Sequence, residues 1–216
     1  MKLRIASLSL LVLTLTVVPA MAQTVYSNGA INGNQNAWSI NFGFVVSNTF
    51  DVTTTNTTVT GLNFGVWLSQ GDSLTSAELS ITSQENGGTI YSDQVVSFSP
   101  GTCTLNHYGF NVCNETTSFS GPTLDQGTYW LNLQNATNTL SGEKVYWDQN
   151  SGPSSASINS IGTIPSESFT VLGTTGTSTT SSTSTTSATS VPEPSSIMLL
   201  GSGILGLASL VRRRLF

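Results

Sequence analysis

The chain has 216 residues, of which six are Lys or Arg and eleven are Asp or Glu, for a net charge of −5. Lys2, Arg4, Arg212, Arg213 and Arg214 lie at the two ends, so residues 23–190 hold ten acids and a single base, Lys144. That excludes nucleic-acid binding by phosphate neutralisation, which needs clustered Lys and Arg. One histidine (His107) and two cysteines exclude a His- or Cys-rich zinc site, and no cofactor is implied.

Residues 1–22 read as a secretory signal peptide. Lys2 and Arg4 precede an apolar run from Ile5 to Val18, followed by Pro19-Ala20-Met21-Ala22. The small-x-small site at Ala20 and Ala22 places signal-peptidase cleavage before Gln23. A retained anchor is the alternative, but this run falls short of the ~20 residues needed to span hydrocarbon.

Residues 23–172 are expected to form one domain, and seventeen of the eighteen aromatic residues lie there. Alternation dominates its pattern. Trp38, Ile40, Phe42, Phe44 and Val46 fall on every second residue, which predicts one strand with five large side chains on one face. Leu62, Phe64, Val66 and Leu68 repeat the device. Shorter runs follow at Ala77-Leu79-Ile81, Val96-Phe98, Tyr129-Leu131-Leu133, Val145-Trp147 and Phe169-Val171. Turn formers such as Asn28-Gly29, Gly71-Asp72, Asn86-Gly87-Gly88 and Ser151-Gly152-Pro153 separate them. Some eight strands, apolar on one face and rich in Ser, Thr and Asn on the other, predict an all-β, antiparallel two-sheet sandwich of jelly-roll-like topology.

Cys103 and Cys113 enclose nine residues, and an exported chain is expected to oxidise the pair. If they face each other in a hairpin, Asn106 faces Phe110 and His107-Tyr108-Gly109 forms a three-residue loop. Gly109 then stands third, where a left-handed residue is wanted.

Catalytic machinery is sparse. His107 is the only imidazole, no Gly-x-Ser-x-Gly elbow surrounds a serine, and the carboxylates are scattered, so an enzyme is not expected. Asp148-Gln149-Asn150-Ser151-Gly152 has the oxygens for a weak calcium contact, although ordinary turn chemistry accounts for the same residues and no metal site is assigned. The aromatic signal is stronger. Trp67, Trp130 and Tyr146 fall out of phase with the core stripes and should project to the opposite faces, beside the amides of Gln70, Asn132 and Gln134. Exposed there, they would offer flat surfaces for sugar rings. Covered by a loop, they would be satellite core.

Gly173–Ser190 contains fifteen Ser or Thr in eighteen residues and is expected to be a disordered linker, a plain spacer or a glycosylated stalk. Val191-Pro192-Glu193-Pro194 then leads into Ser195–Val211, an uncharged run that predicts a transmembrane helix, and Arg212, Arg213 and Arg214 form a stop-transfer cluster held on the cytoplasmic side.

This end, residues 191–216, resembles the PEP-CTERM sorting signal of Gram-negative bacteria in its Pro192-Glu193-Pro194 motif, short apolar helix and basic terminus. The resemblance implies recognition by an exosortase-type sorting enzyme, transient residence in the inner membrane, and transfer to the cell surface or extracellular matrix of an exopolysaccharide-making host. Pro192, Glu193 and Pro194 are then recognition residues. The segments 36–47, 127–133 and 146–154 are similar, more weakly, to stretches of secreted sandwich domains bearing this signal, a set with no settled activity.

The expected function is a non-catalytic structural or adhesive role in the envelope or exopolysaccharide matrix. The alternative is a carbohydrate-binding module that holds extracellular polysaccharide through Trp67, Trp130 and Tyr146. An extracellular hydrolase ranks third.

Overall fold

The computed structural model describes residues 22–99 and 101–176. The expected signal segment up to Met21, with Ala20, lies outside these residues. So do the tract from 177 to 190, Pro192, Glu193 and Pro194, the expected helix 195–211, and Arg212, Arg213 and Arg214.

The described chain is all β. In order the strands are β1 (Gln23–Ser27), β2 (Ala37–Ser39), β3 (Val45–Val52), β4 (Thr57–Leu68), β5 (Leu74–Gln84), β6 (Gly87–Ser97) and β7 (Cys103–Leu105). There follow β8 (Asn111–Ser118), β9 (Thr123–Leu124), β10 (Gly127–Asn138), β11 (Tyr146–Asp148), β12 (Ala156–Ile158), β13 (Gly162–Ile164) and β14 (Phe169–Thr175).

They form two antiparallel sheets. In the eight-stranded sheet β4 is the spine. Along one side of it β14 and β11 lie end to end, with β1 beyond β14 and β2 beyond β11. Along the other side run β9 and β8, with β7 beyond β8. The six-stranded sheet has the order β13-β12-β3-β10-β5-β6.

Alternation sends one set of side chains from each sheet inward. Leu62, Phe64, Val66 and Leu68 of β4 are at most 1% exposed, and Leu79, Ile81, Leu131 and Leu133 of the other sheet at most 2%. Trp147 is fully buried, packs edge-on to Phe64 at 5.9 Å and to Phe169 at 5.6 Å, and donates its indole N–H to Ser168 O at 2.9 Å. That bond removes the desolvation cost of the only polar atom on the side chain. Trp38, Trp147, Val66, Cys113 and Cys103 form one register row, so the disulfide continues the core to the sheet edge.

Three sequence expectations change. Residues 36–47 are not one strand. The chain turns at Asn41–Phe44, where Phe44 N bonds to Asn41 O at 3.2 Å, and Phe42 and Gly43 adopt φ of 55° and 85°. This turn carries the chain from β2 in one sheet to β3 in the other, leaving Phe42 60% exposed and Trp38 half-buried. The strands number fourteen among the described residues, because several are two- or three-residue pieces too short to show a period. The domain also runs past residue 172: Gly173 pairs with Gln23 and Val59, and Thr174 and Thr175 pair with Thr58 and Thr57, so the first residues of the Ser/Thr tract complete β14.

Candidate functional site

The site is built around a glycine. A Cβ on Gly65 would lie 2.5 Å from Ser168 Oγ, 2.8 Å from Asp148 Cβ and 2.9 Å from Ile31 Cγ2, so only glycine lets β14, β11 and the Asn28–Asn36 loop close over β4 here. Into that space β11 places the carboxylate of Asp148, which is fully buried. Its Oδ1 accepts from Trp67 Nε1 at 2.7 Å and Gly33 N at 2.9 Å, and its Oδ2 from Asn32 N and Ser168 Oγ, both at 3.0 Å. Four donors satisfy the two buried oxygens. The same four occupy both oxygens that a calcium contact at Asp148 would need, and Asn150 Oδ1 is likewise engaged, accepting from Gly152 N at 3.0 Å and Ser166 Oγ at 3.1 Å.

Opposite that loop stands the β7–β8 hairpin. Cys103 pairs with Cys113 in register and the two are disulfide-bonded. Asn106 N bonds to Phe110 O at 2.9 Å, Gly109 has φ of 86°, and His107 stands exposed at the tip. This is the hairpin that the cysteine spacing predicts. Inside the loop Asn106 Oδ1 accepts from the amides of Tyr108 at 3.0 Å and Phe110 at 2.9 Å, while Asn106 Nδ2 donates to Gly33 O at 3.1 Å. Gln70 Nε2 donates to Gly109 O at 3.2 Å, latching the tip to the end of β4. The disulfide, the asparagine and the latch hold the loop in one shape.

Between hairpin and loop lies a groove of about 320 Å³ lined by Gln35, Asn36, Ala37, Trp67, Tyr108, Phe110 and Tyr146. Tyr108 stacks on Trp67 at 5.7 Å with 27° between the ring planes. Phe110 lies 5.9 Å from Trp67 and packs edge-on to Tyr146 at 5.7 Å. No carboxylate, imidazole or ammonium lines the groove. Burial pushes the Tyr146 phenol up, with a further push from Glu143, so it stays a neutral hydroxyl.

The three aromatics singled out from the sequence separate. Tyr146 and Trp67 are register partners on the outer face and both line the groove. Of the two alternatives, exposed platform or covered satellite core, Trp67 takes the covered one: it is 5% exposed, because the hairpin tip folds back over it. Trp130 lies on β10, in the other sheet. The amides beside it are engaged: Asn132 Oδ1 accepts from Ser47 Oγ at 2.6 Å, its Nδ2 donates to Thr82 Oγ1 at 3.0 Å, and Gln134 Nε2 donates to Glu78 Oε1 at 2.6 Å. The residues that sequence reasoning missed are Tyr108, Phe110, Gln35 and Asn36. Two aromatics flanking the glycine of a disulfide-closed loop were the available signal.

Two other buried carboxyls lie away from the groove lining. Desolvation drives Glu167 up to about 9, against a hydrogen bond donated by Asn48 Nδ2, and Asp148 adds to the rise. Desolvation likewise raises Glu115 on β8, partly offset by the Gly101 amide.

The full chain matches no curated protein and no solved structure. Its C-terminus does match a family: residues 190–214 carry the PEP-CTERM protein-sorting motif, the mark of a protein anchored in a membrane on export, recognised by exosortase-type sorting machinery and directed to the cell surface.

Proposed function

We propose that the sandwich is a non-catalytic, adhesive protein of the cell envelope or exopolysaccharide matrix, delivered there by its sorting motif. The observation that carries this reading is the groove: a preorganised aromatic cleft on a disulfide-closed hairpin, with no titratable acid or base in its walls beyond phenols. Such a lining binds and does not transfer protons at neutral pH. Asp148 is fully buried with both of its oxygens accepting internal hydrogen bonds, which supports the non-catalytic reading.

The test is fractionation of the exporting host. An adhesive protein stays with exopolysaccharide through repeated washing in buffer. Quantitative release into the first wash would reject the role.

A second reading, a carbohydrate-binding module, is favoured by the stacked rings of Trp67 and Tyr108 with Tyr146 beside them. Trp130 takes no part in this version. Hydrolysis would require a carboxylate pair facing a cleft, and turnover of a glycan panel abolished by one carboxylate-to-amide change would establish it.

A further inference from the structure

We infer that the groove between the Cys103–Cys113 hairpin and the Asn28–Asn36 loop is a binding site for an uncharged sugar ring of a polysaccharide, with Tyr108 as its principal contact. The inference rests on the carbohydrate reading above and adds the ligand class and the residues.

Sugar rings present patches of C–H on their faces and hydroxyls around their rims. A site for them needs exposed aromatic surface with neutral donors and acceptors at its edge. Tyr108 is 53% exposed, the most open of the groove's aromatics, and it is braced from beneath by Trp67 at 5.7 Å. Trp67 is in turn fixed by its bond to Asp148, and the loop bearing Tyr108 by Asn106, Gln70 and the disulfide. Little ordering is left for a ligand to impose, which favours binding. At the rim, the phenol oxygens of Tyr108 and Tyr146 and the side-chain amide of Asn36 make no hydrogen bond to the described residues, and Gln35 holds only long bonds of 3.2 and 3.3 Å to Ser151 and Gln149. These are the neutral groups that sugar hydroxyls engage.

Charge selects the class. No Lys or Arg lines the groove, and residues 23–190 carry ten acids against one base, so a uronate- or sulfate-bearing chain meets repulsion with no compensating cation. A second copy of this chain fits the groove less well for the same reason.

The experiment is native affinity electrophoresis of the detergent-solubilised full chain in gels containing dextran, galactomannan or polygalacturonate. Retardation by a neutral polymer is expected. It should weaken about ten-fold in Tyr108→Ala, an exposed substitution that spares the core, and persist in Trp130→Ala. Retardation by polygalacturonate alone would overturn the inference, as would retardation indifferent to Tyr108→Ala. If neither neutral gel retards a chain that stays with washed host matrix, this inference fails and the adhesive role stands. If it also washes off the matrix, both fail.

Discussion

The indole N–H of Trp67 lies 2.7 Å from the Oδ1 of Asp148, a carboxylate with no exposure to solvent. One residue thus orients the groove's aromatic floor while anchoring the Asn28–Asn36 loop through the amides of Asn32 and Gly33. Asp148→Ala leaves four donors unmatched in a closed space. We expect a loss of about 3 kcal/mol in urea denaturation, since leaving buried donors unsatisfied by removing their shared acceptor costs in that range. Trp67→Phe removes one of the four donors together with part of a buried indole, and should cost about 2 kcal/mol.

Gly65→Ala tests the close approach beneath that pair. The added methyl meets Ser168, Asp148 and Ile31 at 2.5 to 2.9 Å, two of them residues held by hydrogen bonds that cannot swing aside. The expected cost is about 1–3 kcal/mol. A melting temperature equal to that of the parent would show that the loop gives way freely.

Stability should decline from mildly acidic toward alkaline pH. Glu167 ionises at 4.5 in the unfolded chain and at about 9 in the fold. Between those values the folded state holds a proton that the unfolded state has released, so stability falls by about 1.4 kcal/mol per pH unit from this group. Glu115 shifts in the same direction by desolvation. Asp72 acts oppositely: burial would raise it, but bonds from Leu140 N, Asn138, Thr139 and Ser73 N outweigh that and hold it low. Its contribution is present above pH 3.8 and is lost as pH drops through its folded value. Urea midpoints should therefore peak near pH 4–5. Glu167→Gln keeps the acceptor facing Asn48 Nδ2 and should flatten the fall between pH 5 and 9. An unchanged slope would show that Glu167 is ionised in the fold.

Replacing both Cys103 and Cys113 with Ser opens a ring with a sequence separation of ten. The expected loss is about 3 kcal/mol from loop entropy. Because the tip carries Tyr108 and Phe110, any retardation in neutral-polysaccharide gels should weaken further than the fold does. Circular dichroism of the variant should still report a β-sheet protein.

Much of this architecture is a local property of the chain. The inward stripes Leu62-Phe64-Val66-Leu68 and Tyr129-Leu131-Leu133 follow from alternation within a single strand. The Cys103–Cys113 hairpin follows from loop length and the place of Gly109, both set within eleven residues. The PEP-CTERM end is a contiguous motif over residues 190–214, so it is legible from the linear sequence.

What the tertiary structure decided is adjacency. A period of two tells which face a side chain takes, not what lies across from it, so Trp67 and Trp130 looked equivalent from sequence. Register then set Tyr146 beside the first, and sheet assignment carried the second away. The Phe42–Gly43 turn breaks a stripe that alternation would have continued, because that hydrophobic run has to supply two sheets and the crossing between them. The groove arises from contacts between segments more than thirty residues apart, Asn36, Trp67, Tyr108 and Tyr146, and a local pattern carries no term for such pairings.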